Sequence, residues 1–326
     1  MEEMCIKGFG AYAPPLVVSN DDLSKIVDTN DEWIVARTGI KERRISEGED
    51  TSKIAAKAAK MALDRSGIKA EEIDLIIVAT LTPDMCTPSV ACLVQKELGA
   101  TGAMAFDINA ACSGFIYGIQ VAYSMMNTNP DFGNVIVVGA ETLSKIMDWE
   151  DRGTCVLFGD GGGAVVLSKE KSSKAKKINF YSKSVGDKGE YLTAGSTVVN
   201  NPYVKELEVR NNKIAMNGKE VFKFATSSII DGVNQVLDKS QLSLEDIDYI
   251  IPHQANARII EYTAKKLKTN LDKFYINVDK YGNTSSASIP IALNEMYEKG
   301  MMIEGKKIIM VGFGGGLTYG AILIEL

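Results

Sequence analysis

The residue best suited to proton-linked chemistry is the single histidine, His253. Histidine is the side chain whose unperturbed pKa lies in the physiological range, so any imidazole chemistry of this chain must occur there. His253 follows the apolar run 247–251, which predicts a buried strand ending at the imidazole. Strand ends are where α/β proteins gather catalytic groups. The alternative is a hydrogen-bonded structural histidine.

A second candidate is Cys112, which lies in the segment 107–122. The pattern predicts a strand end, a tight turn and a buried apolar helix, with the cysteine at the helix N-terminus. The partial positive charge there favours a thiolate, so we expect a lowered thiol pKa and a nucleophilic sulfur. The alternative is a buried cysteine that packs as a small apolar side chain.

The chain resembles one unit written twice. Segment 66–79 is similar to 240–253, offset by 174 residues, and 135–139 recurs as 308–312, offset by 173; a further pair is 163–167 and 320–324. These strands are apolar along their whole length, which implies sheets covered on both faces by helices. Helical stretches lie between them, at 52–65, 222–237 and 257–267. Two stacked units predict an α/β/α/β/α body.

The repeat points to a third residue, Asn283, in the segment 278–293 of the second half. An amide at this helix start could hydrogen-bond an oxyanion, or it could be a plain helix N-cap. The glycine cluster 312–316 follows a strand and could supply a backbone N–H as an oxyanion donor. It lacks a P-loop lysine and the spacing of a dinucleotide fingerprint, as does 159–163, so nucleotide binding is weakly supported.

Composition narrows the function classes. A length of 326 residues suggests about two domains, and the polar segment 168–175 predicts halves at 1–172 and 173–326. The net charge of −6 argues against a general nucleic-acid or anionic-membrane binder. The sequence shows no membrane-spanning run and no secretory signal, so we expect a cytoplasmic protein. Five cysteines without a C-x-x-C pair argue against a disulfide framework or a zinc site.

Six motifs together carry a resemblance that covers essentially the whole chain. They are 31–40, 111–115, 148–160, 252–258, 281–286 and 312–316. The set resembles β-ketoacyl-acyl-carrier-protein synthase III. The resemblance implies a thiolase-like α/β fold of duplicated halves in five layers (αβαβα) and a homodimer. It also implies an acyltransferase that initiates fatty-acid synthesis from acyl-CoA and malonyl-acyl carrier protein, with no metal and no cofactor beyond these substrates.

The resemblance assigns roles to the three candidate residues. Cys112 would accept the acyl group as a thioester. His253 Nε2 and the Asn283 amide would donate hydrogen bonds to the enolate formed when malonyl loses CO2. A second oxyanion hole would use the backbone N–H groups of Cys112 and Gly315.

Substrate-binding residues are implied in the same way. Coenzyme A would be held by the adenine clamp Trp33 and Arg152, by Arg37 on phosphate, and by Phe222 and Asn256 along the pantetheine channel. The acidic carrier protein would dock on a basic patch that comprises Gln254, Ala255, Asn256, Ala257, Arg258, Lys223, Lys265 and Lys266. Singly, each lysine is equally compatible with an ordinary solvated helix face.

The resemblance also implies that the segment containing Thr87 reaches across the dimer to the acyl pocket. Some relatives carry an aromatic residue there, so the smaller threonine predicts tolerance of longer or branched primers. A degradative thiolase would need a second cysteine near 312–316, and elongating condensing enzymes use two histidines. The alternatives that stay open are a secondary-metabolite condensing enzyme on this fold, a non-catalytic acyl-carrier-protein scaffold, and a redox sensor that uses Cys112.

Overall fold

A computed structural model describes residues 2–171, 177–206 and 208–326. The helices of these residues are α1 (Asn20–Leu23), α2 (Asp31–Thr38), α3 (Thr51–Ser66), α4 (Val90–Leu98), α5 (Gly114–Thr128), α6 (Gly218–Ser240), α7 (Ala257–Lys266), α8 (Val278–Tyr281) and α9 (Ser288–Glu298). The strands are β1 (Glu2–Tyr12), β2 (Leu16–Ser19), β3 (Glu42–Ile45), β4 (Leu75–Ala79), β5 (Met104–Ile108), β6 (Asn134–Glu141), β7 (Gly161–Lys171), β8 (Ile178–Ser184), β9 (Leu192–Thr193), β10 (Ala215–Met216), β11 (Tyr249–Pro252), β12 (Lys307–Gly314) and β13 (Thr318–Glu325).

The first large sheet has the strand order β1-β7-β6-β4-β5. β4 pairs in parallel with β5 and β6, whereas β7 runs antiparallel to β6 and β1. Every residue of β4 is buried, because helices cover both faces of the sheet, and this explains its uninterrupted apolar sequence.

The second large sheet repeats this arrangement with the order β11-β12-β13-β8. β11 and β12 are parallel, as β4 and β6 are, and the other pairs are antiparallel. A short 3-10 turn precedes each of the two corresponding strands, at Ala70–Glu72 before β4 and at Leu244–Asp246 before β11. The structure therefore confirms the internal repeat.

Five layers result from stacking the two halves. α5 and α9 lie between the sheets, where Phe115 and Leu293 share one core with Val137 of the first sheet and Met310 of the second. α3 and α4 cover the outer face of the first sheet, and α6 and α7 that of the second. This is the predicted αβαβα order.

Two sequence predictions, the boundary between the halves and the lack of a membrane span, are compared here with the described residues. The expected boundary between residues 172 and 173 lies in 172–176, outside them, so that division stays a prediction. No helix within residues 2–171, 177–206 and 208–326 is long and apolar enough to cross a bilayer.

Candidate active site

Cys112 lies where the sequence predicted, between a strand and a central helix. β5 ends at Ile108, the 3-10 turn Ala111–Ser113 follows, and α5 begins at Gly114. The β12 backbone packs directly on the cysteine, because an added Cβ at Gly314 would lie 2.7 Å from the Cys112 nitrogen. Only glycine permits this approach.

The Cys112 thiol is not the pre-ionised group that its helix position suggested. The residue is only 6% exposed. Burial raises the pKa of the thiol to about 12, and the nearby Ser285 hydroxyl opposes that rise only in part. The expectation of a lowered pKa in the resting site was therefore wrong, since desolvation is the largest influence on the thiol and raises its pKa.

His253 follows β11 directly and is 1% exposed. Its main-chain N–H donates to Val311 O at 2.8 Å, and its ring packs edge-on against Phe313 at 5.0 Å between centroids. Burial lowers the pKa of the imidazole to about 3, so the ring is neutral at physiological pH. A neutral ring carries a single N–H, and its position decides what the residue can donate.

The His253 ring has a hydrogen-bond partner in Ser288, the first residue of α9. Ser288 Oγ lies 2.6 Å from His253 Nδ1 and also accepts the main-chain N–H of Gln254 at 3.3 Å. A hydroxyl oxygen has two lone pairs and one proton, so this contact fits either ring tautomer. In the tautomer that the predicted role requires, Ser288 donates to Nδ1 and the imidazole proton lies on Nε2, and this stays a prediction. No sequence signal marked Ser288 beyond its place at a helix start.

Asn283 is held by main-chain and side-chain bonds that orient its amide. Its N–H donates to Leu157 O at 2.8 Å, and its carbonyl accepts from Gly159 N at 3.1 Å. Its Oδ1 accepts the Ser285 N–H at 2.8 Å. Because Oδ1 is used in this way, the amide group left without a partner among the described residues is the Nδ2 donor.

The three predicted residues meet. Cys112, His253 and Asn283 line one cavity of about 290 Å³. Cys112 also lines a second cavity of about 410 Å³, shared with Leu81, Asn109, Leu143, Phe158, Ile214, Ser285 and Gly315. Cys112 is thus shared by both cavities. Among the described residues, no three His, Cys, Asp or Glu side chains cluster as metal ligands would.

Most of the predicted coenzyme A residues lie along the first cavity. Trp33, Arg37, Phe222 and Asn256 line it. The Arg37 guanidinium lies 4.4 Å from the Trp33 ring centroid, and that of Arg152 lies 5.3 Å from it. Arg152 also donates to Asp28 O at 2.8 Å and is exposed outside the cavity lining.

The predicted carrier-protein patch is only partly a surface. Lys223, Arg258, Lys265 and Lys266 are exposed, although Lys223 pairs with Glu220 at 2.7 Å. Ala255 lines the first cavity, and Ala257 packs under Gly39.

Gln254 does not belong to that patch, which corrects the sequence prediction. It is 1% exposed, and its amide donates to Pro252 O and Tyr275 O and accepts from Asn277 N. These bonds turn the side chain into the core, so it offers nothing to a docking protein.

Thr87 does not reach either chamber within its own chain. It is exposed in the loop before α4 and lines neither cavity. Its predicted role in the acyl pocket requires a partner subunit and stays a prediction.

Comparisons with known proteins agree with this geometry. The family model "3-oxoacyl-[acyl-carrier-protein] synthase III" matches residues 106–186, and its C-terminal companion matches 237–326. A β-ketoacyl-[acyl-carrier-protein] synthase III of Clostridium novyi is 57% identical over 325 residues, which cover 100% of this chain and 99% of the relative. The chain belongs to the 3-oxoacyl-[acyl-carrier-protein] synthase III family.

Solved structures support the same family. The crystal structure of a synthase III from Aquifex aeolicus is 47% identical, with a TM-score of 0.92 over 99% of this chain and 100% of that chain. The priming β-ketosynthase of the R1128 polyketide pathway is 32% identical, with a TM-score of 0.91 over 99% and 96%. The resemblance drawn from the motifs is therefore confirmed, and so is the thiolase-like fold of this synthase III family.

Proposed function

We propose that this protein transfers a short acyl group from acyl-CoA to Cys112 and condenses it with malonyl-acyl carrier protein. The products are 3-oxoacyl-acyl carrier protein, CO2 and coenzyme A, which makes the reaction the initiating step of fatty-acid synthesis. The observation that carries the proposal is the shared cavity of Cys112, His253 and Asn283 in a chain similar to synthase III over its full length.

The first half-reaction is acyl transfer. The Cys112 sulfur attacks the thioester carbon, the bond to the coenzyme A sulfur breaks, and the thiol proton ends on the departing coenzyme A. The backbone N–H groups of Cys112 and Gly315 would bind the oxyanion of the tetrahedral intermediate. Gly314 supports this role, because its close packing brings the 312–316 turn against the nucleophile.

The second half-reaction forms the new carbon–carbon bond. Loss of CO2 places negative charge on the thioester oxygen of the malonyl group, where His253 Nε2–H and Asn283 Nδ2–H would donate. The resulting enolate carbon attacks the acyl-Cys112 carbonyl, and the cysteine leaves as a thiolate that regains a proton. Two preorganised donors in a buried site are each worth about 3 kcal/mol in the transition state.

A neutral histidine suits this task. An imidazole with its pKa lowered to about 3 keeps one ring proton at physiological pH and carries no charge that must be desolvated. Ser288 would act as a positioning residue, since its bond to Nδ1 keeps the donor on the side of the substrate.

The two chambers divide the substrates. The cavity lined by Trp33 and Phe222 would hold the pantetheine arm of coenzyme A or of the carrier protein, with Arg37 and Arg152 at the nucleotide. The second cavity, lined by Leu81, Leu143 and Ile214, would hold the acyl chain. Its volume supports primers longer or more branched than acetyl.

A homodimer is part of the proposal. Within the described residues β5 is an edge strand, and Met104 on it is 49% exposed. Exposed edges of this kind favour pairing with another chain. Light scattering coupled to gel filtration tests it, with a mass of two chains expected. The cytoplasmic location and the absence of any cofactor stay predictions from the sequence.

The test separates the half-reactions with Asn283→Asp. This variant keeps an acceptor for the Ser285 N–H but replaces the Nδ2 donor with oxygen. We expect decarboxylation of malonyl-acyl carrier protein to fall by about 10²–10³, while acylation of Cys112 persists. Unchanged decarboxylation, or equal loss of both half-reactions, would contradict the assigned roles.

A polyketide-priming synthase is the second candidate, favoured by the likeness to the R1128 enzyme. Its chemistry is the same, and the carrier protein differs. Comparing kcat/KM for malonyl groups on a fatty-acid and on a polyketide carrier protein decides between them. We expect the fatty-acid carrier to be preferred.

A further inference from the structure

The hydroxyl of Ser285 is buried beside the nucleophile without a hydrogen-bond partner. Ser285 is 1% exposed, and its Oγ has no partner within the described residues. Buried polar atoms are normally paired, and an exception calls for an explanation such as a catalytic role.

The backbone at Ser285 is also unusual. Its φ of 50° lies in the left-handed region, which is uncommon for residues other than glycine. The conformation is held by the bond from the Ser285 N–H to Asn283 Oδ1. The same bond orients the Asn283 side chain through its Oδ1.

The internal repeat separates the need for this turn from the need for the hydroxyl. In the first half Ala111 has a φ of 45°, and its N–H donates to Asn109 Oδ1 at 3.1 Å. Ala111 and Asn109 precede Ser285 and Asn283 by the same 174 residues that relate the two halves. The turn therefore forms with alanine, and the fold does not explain why Ser285 carries an oxygen.

The Ser285 turn lies next to the Cys112 turn. The 3-10 turns that contain Cys112 and Ser285 pack against each other, and both residues line the second cavity. Burial is the largest influence on the Cys112 pKa and raises it, and the Ser285 hydroxyl is the main influence that lowers it.

We propose that Ser285 is a further catalytic residue, whose hydroxyl donates a hydrogen bond to Cys112 Sγ whenever the sulfur carries negative charge. This inference rests on the proposed role of Cys112 as nucleophile. The Cys112 thiolate forms when the sulfur attacks the thioester of acyl-CoA, and it forms again when the 3-oxoacyl product departs. An unpartnered donor that becomes paired only as charge develops stabilises the transition state more than the ground state.

The experiment measures the rate at which iodoacetamide alkylates Cys112 at a series of pH values in wild type, Ser285→Ala and Ser285→Gly. Mass spectrometry of the Cys112 peptide reports the alkylation. Alkylation reports the thiolate and needs no acyl substrate. We expect both variants to be alkylated about tenfold more slowly at a given pH and to show a higher pH midpoint, because hydrogen bonds to charged groups are strong. Cys86 and Cys92 are exposed and serve as internal controls whose rates stay unchanged.

Three outcomes decide the inference. An equal decrease of the Cys112 alkylation rate in both variants, with an unchanged thermal unfolding temperature, supports it. A wild-type alkylation rate in Ser285→Ala overturns it. Slow alkylation of Ser285→Ala together with a wild-type rate in Ser285→Gly also overturns it, because backbone strain would then be the cause. Acylation of wild-type Cys112 by acyl-CoA is measured in parallel; its failure would refute the proposed function, whatever the alkylation of Ser285→Ala shows.

Discussion

Replacing Ser288 with alanine tests how the histidine is aimed. The change removes the 2.6 Å partner of His253 Nδ1 and leaves the Gln254 N–H without its acceptor. A buried hydrogen bond is worth about 1 kcal/mol net, and an unpaired buried group adds a similar cost. Loss of the tautomer and orientation of the donor should therefore raise the decarboxylation barrier by about 1–2 kcal/mol, or roughly fivefold to thirtyfold in rate.

The assay follows CO2 release from malonyl-acyl carrier protein separately from acylation of Cys112 by acyl-CoA. We expect Ser288→Ala to slow only CO2 release, because the histidine donates only in that step. Ser240→Ala is the matched control, since Ser240 is also a buried serine and its hydroxyl donates to Val236 O. An unaffected rate of CO2 release in Ser288→Ala, or an equal loss in Ser240→Ala, would refute the proposed positioning of the His253 donor by Ser288.

Four further predictions concern the substrates and acid stability. Trp33→Ala should raise KM for acyl-CoA about tenfold in steady-state kinetics with kcat little changed, because a stacked cation–π contact is worth about 1–2 kcal/mol. Arg258→Glu should raise KM for malonyl-acyl carrier protein and leave KM for acyl-CoA unchanged, as expected for an exposed docking charge. Thr87→Phe should lower kcat/KM for hexanoyl-CoA more than for acetyl-CoA; equal effects would remove Thr87 from the acyl pocket. The lowered pKa of His253, about 3, means that the imidazole binds a proton below about pH 6.5 in the unfolded chain but stays neutral in the folded protein. Its contribution to stability is therefore full above pH 6.5 and is lost as pH falls towards 3, so urea unfolding of His253→Gln should show a shallower acid decline.

The duplicated architecture could be predicted because corresponding strands of the two halves have similar sequences. The offset of 174 residues between 66–79 and 240–253 is the spacing of the turns before β4 and β11. Strands buried on both faces are apolar throughout, and that pattern survives in a single sequence. The helix start near Cys112 followed from the same logic, whereas Asn283 lies in a β-bridge with Phe158, two residues before the 3-10 turn Ser285–Ala287. The repeat relates Asn283 to Asn109, however, and not to Cys112.

Properties that depend on burial could not be predicted from the sequence. The raised pKa of Cys112 follows from desolvation by neighbours distant along the chain. Gln254 lies between two residues of the predicted site, and only the fold shows that its amide bonds to Pro252, Tyr275 and Asn277. Ser285 and Ser288 looked like ordinary helix-start residues, because their importance rests on which atoms face them.

The central claim is that Cys112 carries the acyl group between the two substrates. Intact-mass spectrometry after acyl-CoA should show one added acyl group, located on the Cys112 peptide. Malonyl-acyl carrier protein should then discharge it as 3-oxoacyl-acyl carrier protein, and Cys112→Ser should show neither event. An acyl group on another residue, or product formation by Cys112→Ser at the wild-type rate, would contradict the account.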